Sequence, residues 1–298
     1  MNNKVEKIAA IVVTFNRKDL LPKCLEGILT QARPVDHIFL IDNASTDGTK
    51  EMIENLYKDN PLITYIRLSK NSGSAGGFHD GVKAAYDWGA DWIWFLDDDV
   101  VPQPDCLHIM LNYKHISQCI HPNKIDIEKN EFMFESIFDP SIGRMTFLNN
   151  ISFKHGKDFS FINIGCFEGM LIHRDIVSKI GFPDKRFFMY SDDTVYGFTA
   201  SLHTNVIFIR DAFLHKEIAF KNTATPLFSY YAIRNQFLIK EYLKKYNLYN
   251  KYWFTLNLAI FVFTASTKQA IRSRSFKIPV YVLRGLIDGI KGAFYEIH

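Results

Sequence analysis

Over its first hundred residues the chain alternates short apolar runs with amphipathic segments, and this rotation leaves few folds open. KIAAIVVTF (7–15), HIFLID (37–42), LITYIRL (62–68) and DWIWFL (91–96) have the length and the Ile, Val and aromatic content of strands. Between them, DLLPKCLEGILTQ (19–31) sets Leu20, Leu21, Cys24, Leu25, Ile28 and Leu29 on one helical face. TKEMIENLYKD (49–59) turns Met52, Ile53, Leu56 and Tyr57 inward, with Asp47 or Thr49 as its cap, and Phe78, Val82, Ala85 and Tyr86 mark a third helix. Strand and helix in strict rotation predict an α/β fold, a parallel sheet covered on both faces. Ligands of such sheets lie beyond the carboxyl ends of the strands. Thr14, Asp42, the segment Ser69–Gly77 and Asp97–Asp99 all fall there.

The rest of the chain is less periodic. PQPDCLHIMLNYKHI suggests a helix starting near Asp105, and IGRMTFLNNISFKHG strands or a hairpin. Residues 161–182 read as strand, loop, strand, helix; 187–202 place two acids at a helix start; 205–216 form a strand ending on a His; 227–246 form one helix. Trp92 and Trp94 alternate along a strand and are expected in the core. This divides the chain into an α/β half (1–100), a second half of the same domain (101–225) and a helical tail (226–298).

Three consecutive acids repel one another unless something positive sits among them. Two or more carboxylates are what Mg²⁺ or Mn²⁺ selects, and a diphosphate is the natural further ligand; a plain surface acid run is the alternative. Asp42 stands too early to cap the helix at Thr49, so it is either solvated or accepts a hydrogen bond from a base or ribose. NSGSAGGF (71–78) lets backbone approach a ligand closely. A dinucleotide fingerprint needs its glycines after the first strand, where this chain has TFNRKD, and no GK[ST] follows for a P-loop.

The pattern resembles the inverting, GT-A fold glycosyltransferases of family 2. IVVTFNR (11–17), IDNASTDGT (41–49), NSGSAGG (71–77) and FLDDDV (95–100) carry the resemblance in order. NIGCFEGMLIHRD (163–175), FMYSDDTVYGFTA (188–200) and DAFLHK (211–216) look like the branch of bacterial galactofuranosyl- and rhamnosyltransferases. The resemblance implies a Rossmann-type, mostly parallel sheet. It implies that Thr14, Phe15, Asn16, Arg17, Asp42, Asn71, Gly73, Gly76, Gly77 and Asp98 hold a UDP- or dTDP-linked sugar. Asp97, Asp99 and His215 would hold Mn²⁺ or Mg²⁺, Asp193 would be the catalytic base, and Asp192 would orient it or contact the acceptor. Glu168 contacts a substrate or is a loop carboxylate, and Arg234 and Asn235 lie on a helix facing the site or the tail. Many members carry a Trp where this chain has Ser191, which leaves the sugar open. The expected reaction moves galactofuranose, or next rhamnose, onto a glycan or lipid-linked glycan in cell-surface polysaccharide synthesis. Nucleotidyl transfer to a sugar phosphate and an inactive sugar-nucleotide-binding scaffold are the alternatives; the missing glycine after the first strand disfavours the former and the intact acids the latter.

Location follows from charge. The chain is +3 overall, but residues 240–298 carry ten Lys or Arg against three acids. WFTLNLAIFVFTA (253–265) is shorter than the about 20 residues a spanning helix needs, yet the apolar and basic mixture suits an anionic lipid surface. A packed helix pair or a homo-oligomer contact is the other reading; nucleic acid is not expected. No CxxC pair occurs among the four cysteines, and MNNKVEK is too short and polar for an export signal, so a cytoplasmic protein, peripheral on the inner membrane face, is expected. With its first strand starting by Ile8, the chain is expected to differ from the larger mycobacterial galactofuranosyltransferases, which carry a β-rich N-terminal domain.

Overall fold

The structure is a computed structural model that describes residues 5–132, 134–219 and 224–297; residues 1–4 of the MNNKVEK stretch lie outside it. Strands β1 (Ile8–Thr14), β2 (His37–Asp42), β3 (Ile63–Arg67) and β4 (Trp92–Asp97) pair in parallel in the order β3-β2-β1-β4. Helices α1 (Leu21–Leu29), α2 (Thr49–Leu56) and α3 (Gly73–Trp88) connect them, as the alternation predicts. Every residue of β1 is buried. Ile8, Ala10 and Val12 join one core with Cys24, Leu25 and Ile28 of α1, while Ala9, Ile11 and Val13 join the other with Phe78, Val82 and Ala85 of α3. A strand covered on both faces has no polar side, which is why this run does not alternate.

Gly76 and Gly77 are not loop residues but lie in the first turns of α3. A Cβ on Gly77 would stand 2.6 Å from Val13 Cγ1, so the glycine lets the helix lie close on β1. The predicted permissive loop is thus shorter, and only Gly73 has φ > 0, at +73°.

The sheet then continues with changed polarity. After β5 (Val100–Pro102) and α4 (Cys106–Leu111) comes β6 (Cys119–Asp126), then a hairpin of β7 (Ser136–Asp139) and β8 (Arg144–Phe147), the short α5 (Ile151–Lys154), and β9 (Phe159–Ile162). Strand β10 (Leu171–His173) inserts antiparallel between β4 and β6, so both halves share one sheet. Helices α6 (Arg174–Ile180) and α7 (Asp192–Ser201) precede β11 (Val206–Lys216), which runs parallel to β6 and antiparallel to β5 and β9.

The tail is α8 (Pro226–Lys245), α9 (Lys251–Thr264), a π-helical stretch Ala265–Gln269 continuing into α10 (Ala270–Arg272), and α11 (Lys277–Lys291). Thr225 caps α8, its hydroxyl accepting from the Phe228 N–H at 3.1 Å, and Pro226 fits the first turn, where its missing N–H is not needed. Small Gly285 and Gly289 let α11 pack against Tyr230 and Phe237 of α8. No helix among the described residues is long and apolar enough to cross a membrane.

Candidate functional site

Pairing registers set Val13 beside Asp97 and Thr14 beside Asp42, so the loops after β1, β2 and β4 open at one edge. Asp98 organises that edge. Its Oδ2 accepts from Thr14 Oγ1 at 2.7 Å and from the Phe15 N–H at 3.3 Å, and its Oδ1 from Arg17 Nη1 at 3.1 Å; Arg17 also pairs with Asp99. Burial raises Asp98 to about 6 against the pull of Arg17 and Thr14. Asn16, at φ +54°, ties two loops together: its N–H donates to Ser45 Oγ at 2.9 Å and its Oδ1 accepts from the Thr46 N–H at 2.7 Å. A cavity of about 500 Å³ opens here, lined by Thr14, Phe15, Arg17, Asn43, Asn71, Gly73, Ser74, Asp97 and Asp98 among others.

Asp42, Asn16, Gly76 and Gly77 are absent from that lining. Asp42 is fully buried, its Oδ1 accepting from the Ser45 N–H at 2.8 Å and its Oδ2 from the Tyr65 hydroxyl at 2.6 Å. The neighbouring Asn43, not singled out from sequence, lines the cavity and ties it to the α3 start, donating to Gly73 O at 3.0 Å.

Asp97, Asp99 and Glu168 place carboxylate oxygens within 4.8 Å of one another. The Lys216 ammonium lies among them, 2.9 Å from Asp99 Oδ1 and 2.6 Å from Glu168 Oε1. Lys124 reaches Glu168 Oε2 at 2.5 Å. Oxygen-only donors that already gather a cation fit a hard divalent ion. Although burial opposes it, the two lysines hold the Glu168 carboxyl well below the usual carboxylate range. Asp97 is pushed well above that range by burial and by Glu168 and Asp99.

His215 does not join these groups. Strand alternation points neighbours to opposite faces, so buried Lys216 enters the acidic cluster while exposed His215 lines a separate groove with Pro22, Lys23 and Val101. Among the described residues the carboxylates that converge are thus Asp97, Asp99 and Glu168, and His215, expected from sequence beside Asp97 and Asp99, lies on the other face of its strand. The sequence offers Glu168 as a substrate contact or a loop carboxylate and does not single out Lys124 and Lys216; the signals for the two lysines are parity along RDAFLHK and a lone Lys within the buried β6.

Asp192 and Asp193 open α7 and line a second cavity of about 380 Å³, walled by Phe78, Phe132, Phe167, Tyr190 and Phe228. Ser74, Asp97 and Met189 belong to both cavities, so the two meet. Asp192 Oδ2 accepts from Ser74 Oγ at 2.9 Å, and Asp193 Oδ1 from the Thr194 N–H at 2.6 Å. Burial raises both carboxyls, Asp192 to about 7 with repulsion from Asp193 and Asp193 to about 6. Lys124, Glu168 and Lys216 line the same cavity, and a carboxylate with a raised pKa in a partly aromatic cavity is equipped to take a proton near neutral pH.

The family model described as glycosyl transferase family 2 matches residues 9–180, more than half of the chain. A galactofuranosyltransferase of Mycolicibacterium smegmatis is 29% identical over 194 residues, 63% of this chain and 63% of the relative. The chain thus spans less than two thirds of that relative's length. A GalNAc(5)-diNAcBac-PP-undecaprenol beta-1,3-glucosyltransferase of Campylobacter jejuni is 37% identical over 95 residues, covering 31% of this chain and 29% of the relative. Among solved structures, Staphylococcus aureus TarS superposes with a TM-score of 0.60 at 18% identity, covering 97% of this chain and 48% of that one. The mannosyltransferase PcManGT of Pyrobaculum calidifontis, in complex with GDP-Man and Mn²⁺, superposes with a TM-score of 0.59 at 13% identity, covering 97% and 88%. These likenesses show the GT-A-like fold.

Proposed function

The chain belongs to glycosyl transferase family 2, and we propose that it transfers a sugar with inversion from a nucleotide diphosphate to a hydroxyl of a glycan. The observation that carries this reading is the meeting of two cavities at Asp97 and Ser74, one rimmed by Asp97 and Asp98 and the other by Asp97, Glu168, Asp192 and Asp193. The nucleotide occupies the first cavity, its diphosphate toward Asp97 and Asp99, and the acceptor enters the second. A divalent ion held by Asp97, Asp99 and Glu168 would supply charge stabilisation for the departing diphosphate. Asp193 takes the acceptor hydroxyl's proton as it attacks. Asp192, held by Ser74 at the start of α3, keeps the acid pair in register with the donor wall. The aromatic lining of the acceptor cavity suits the apolar faces of a sugar ring.

The donor we favour is UDP-galactofuranose, supported by the named relative, with dTDP-rhamnose next. Incubating the protein with each, with and without Mn²⁺, and following nucleotide release tests the assignment. Mn²⁺-dependent turnover of one donor is expected; binding of neither UDP nor dTDP in Mn²⁺ would remove the donor site from this edge.

A lipid-linked acceptor at the inner membrane face is supported by α11. Its inner side, Ile278, Val282, Gly285 and Gly289, is buried, while Phe276, Val280, Leu283, Ile287 and Ile290 form an exposed apolar stripe on the other side. Lys277, Arg284 and Lys291 recur at heptad spacing beside that stripe, and the one acid from 251 to 291, Asp288, is buried on the Tyr230 hydroxyl at 2.9 Å. A second copy meeting this face would set like charges together, whereas anionic lipid complements it. Leu283→Asp with Ile287→Asp should abolish flotation with anionic vesicles in low salt. Truncating at Tyr252 would instead strip α8 of its packing. Unchanged flotation of the double variant would place lipid contact elsewhere, and a protein that floats with no vesicles but sediments as a dimer would make the stripe an oligomer surface.

A further inference from the structure

The acidic pair of α7 is preceded by a strained loop. Phe188, Tyr190 and Ser191 have φ of +61°, +72° and +66°. At Phe188, φ +61° with ψ −60° and a Met189 N–H to Phe187 O hydrogen bond of 2.7 Å make the positive-φ γ-turn, a rare and strained conformation. Glycine would adopt such angles without steric cost, yet none of these positions is glycine. The reason lies in the side chains: Phe188 lines the donor cavity, and Tyr190 and Ser191 line the acceptor cavity. The loop must present side chains to both cavities and still reverse direction, so it persists only if its surroundings over-determine it.

Helix α8 supplies that constraint. Asn235 Nδ2 donates to Phe187 O at 3.1 Å, Met189 O at 2.8 Å and Tyr190 O at 2.8 Å. Arg234 Nη2 donates to Arg186 O at 2.6 Å and Phe187 O at 2.8 Å. Both residues are fully buried. Arg234 Nε and Nη2 donate to Asn235 Oδ1 at 3.0 and 2.7 Å, which orients the amide so that its N–H groups face the loop. On the opposite side, Phe188 O accepts from the Ala75 N–H at 3.1 Å, at the start of α3, and the Phe188 ring stacks on Tyr231 at 5.0 Å. Every carbonyl from Arg186 to Tyr190 is thereby taken up.

We propose that Arg234 and Asn235 are positioning residues for transfer: they touch neither donor nor acceptor but hold the 187–191 loop in its strained form, and so fix where the Asp192 and Asp193 carboxylates stand against the Asp97 wall. The proposal rests on Asp193 being the base. A pair serving only to anchor the fold would affect folding alone; a pair that sets the base's place affects the chemical step and spares donor binding.

The full chain carrying Asn235→Ala tests this beside Asp193→Asn. Kd for UDP in Mn²⁺, kcat and KM for release of UDP from UDP-galactofuranose, thermal unfolding, and backbone hydrogen exchange over 186–193 are measured for each. Expected for Asn235→Ala is a kcat loss of roughly 10²-fold, the cost of about 1 Å of misplacement. UDP affinity and KM should hold within about threefold, with faster exchange confined to the loop. Asn235→Ser, which keeps one donor, should fall between, and it carries the test if Asn235→Ala does not fold. Wild-type kcat in both Asn235 variants, or a KM rise that accounts for the whole loss, overturns the proposal while leaving the base intact. Full turnover by Asp193→Asn overturns both.

Discussion

The two acidic clusters of the site differ in what faces them. At the end of β4, Asp98 and Asp99 pair with Arg17, Asp99 also with Lys216, and Glu168 bridges Lys216 and Lys124. At the start of α7, Asp192 and Asp193 meet a serine hydroxyl and a backbone N–H, with no cation in hydrogen-bond contact among the described residues. Equal charges therefore have unequal uses. A cluster compensated by ammonium and guanidinium groups can exchange one cation for another and meet a diphosphate. A pair with no cation in hydrogen-bond contact, raised by burial although Lys124 pulls Asp193 down, holds its protons up to near-neutral pH, which suits a group that must accept one.

The largest effect expected from this difference is on turnover. Asp193→Asn removes the proton acceptor but not the shape, and transfer should fall by roughly 10²–10⁴ with donor affinity preserved within a few-fold. In the unmodified chain the rate should drop about tenfold per pH unit as pH falls below about 6, where Asp193 protonates. A flat profile from pH 5 to 8, or a donor affinity loss matching the rate loss, would move Asp193 into the donor cluster and erase the distinction.

Next comes stability in the compensated cluster. Glu168 has a folded pKa below its unfolded value, so its contribution is present above pH about 4.3 and is lost as pH falls through the folded value. Glu168→Gln leaves two buried ammonium groups short of a partner, a change of about 3–5 kcal/mol when a buried pair is broken. Chemical denaturation at pH 7 measures it. A variant as stable as the parent would mean that water, not Glu168, compensates the lysines.

A smaller effect is expected at Asp97, whose carboxylate has no hydrogen-bond partner among the described residues. Asp97→Asn should leave metal-free UDP binding nearly unchanged and weaken Mn²⁺-dependent binding by at least the roughly 10–100-fold that loss of an indirect partner costs at metal sites. Equal affinities across a Mn²⁺ titration would leave the cluster as ion-pair architecture only.

The legibility of these clusters differed for a physical reason. Asp97–Asp99 and Asp192–Asp193 sit at the ends of strongly patterned segments, so a local period marks where their side chains emerge. Lys124 and Lys216 meet because β11 pairs with β6, and Glu168 joins them because β10, which follows it, inserts antiparallel between β4 and β6; these are pairings between distant segments that no local period encodes. His215 and Lys216 differ by one step of strand parity, and a motif match without that parity selects the wrong neighbour. Gly76 and Gly77 read as loop because glycine is permissive, whereas here the missing side chain of Gly77 serves helix-on-sheet contact and that of Gly76 leaves room for Ser72 at the helix start.

The smallest expected effect has the opposite sign from Glu168→Gln and tests the contrast most directly. Burial and Asp193 raise Asp192 to about 7, against about 3.9 for an unfolded Asp. Between those values the folded chain binds more protons than the unfolded chain, so stability falls as pH rises through that window and stays lower above it. Asp192→Asn removes the charge and keeps an acceptor for Ser74. Each pKa unit is worth about 1.4 kcal/mol, so relief of even one unit should raise Tm by about 3 °C at pH 8. At pH 4, where the native carboxyl is already protonated, the two proteins should melt together. A Tm that falls at pH 8 would mean the Asp192 carboxylate is compensated after all, and that the second cluster is a copy of the first.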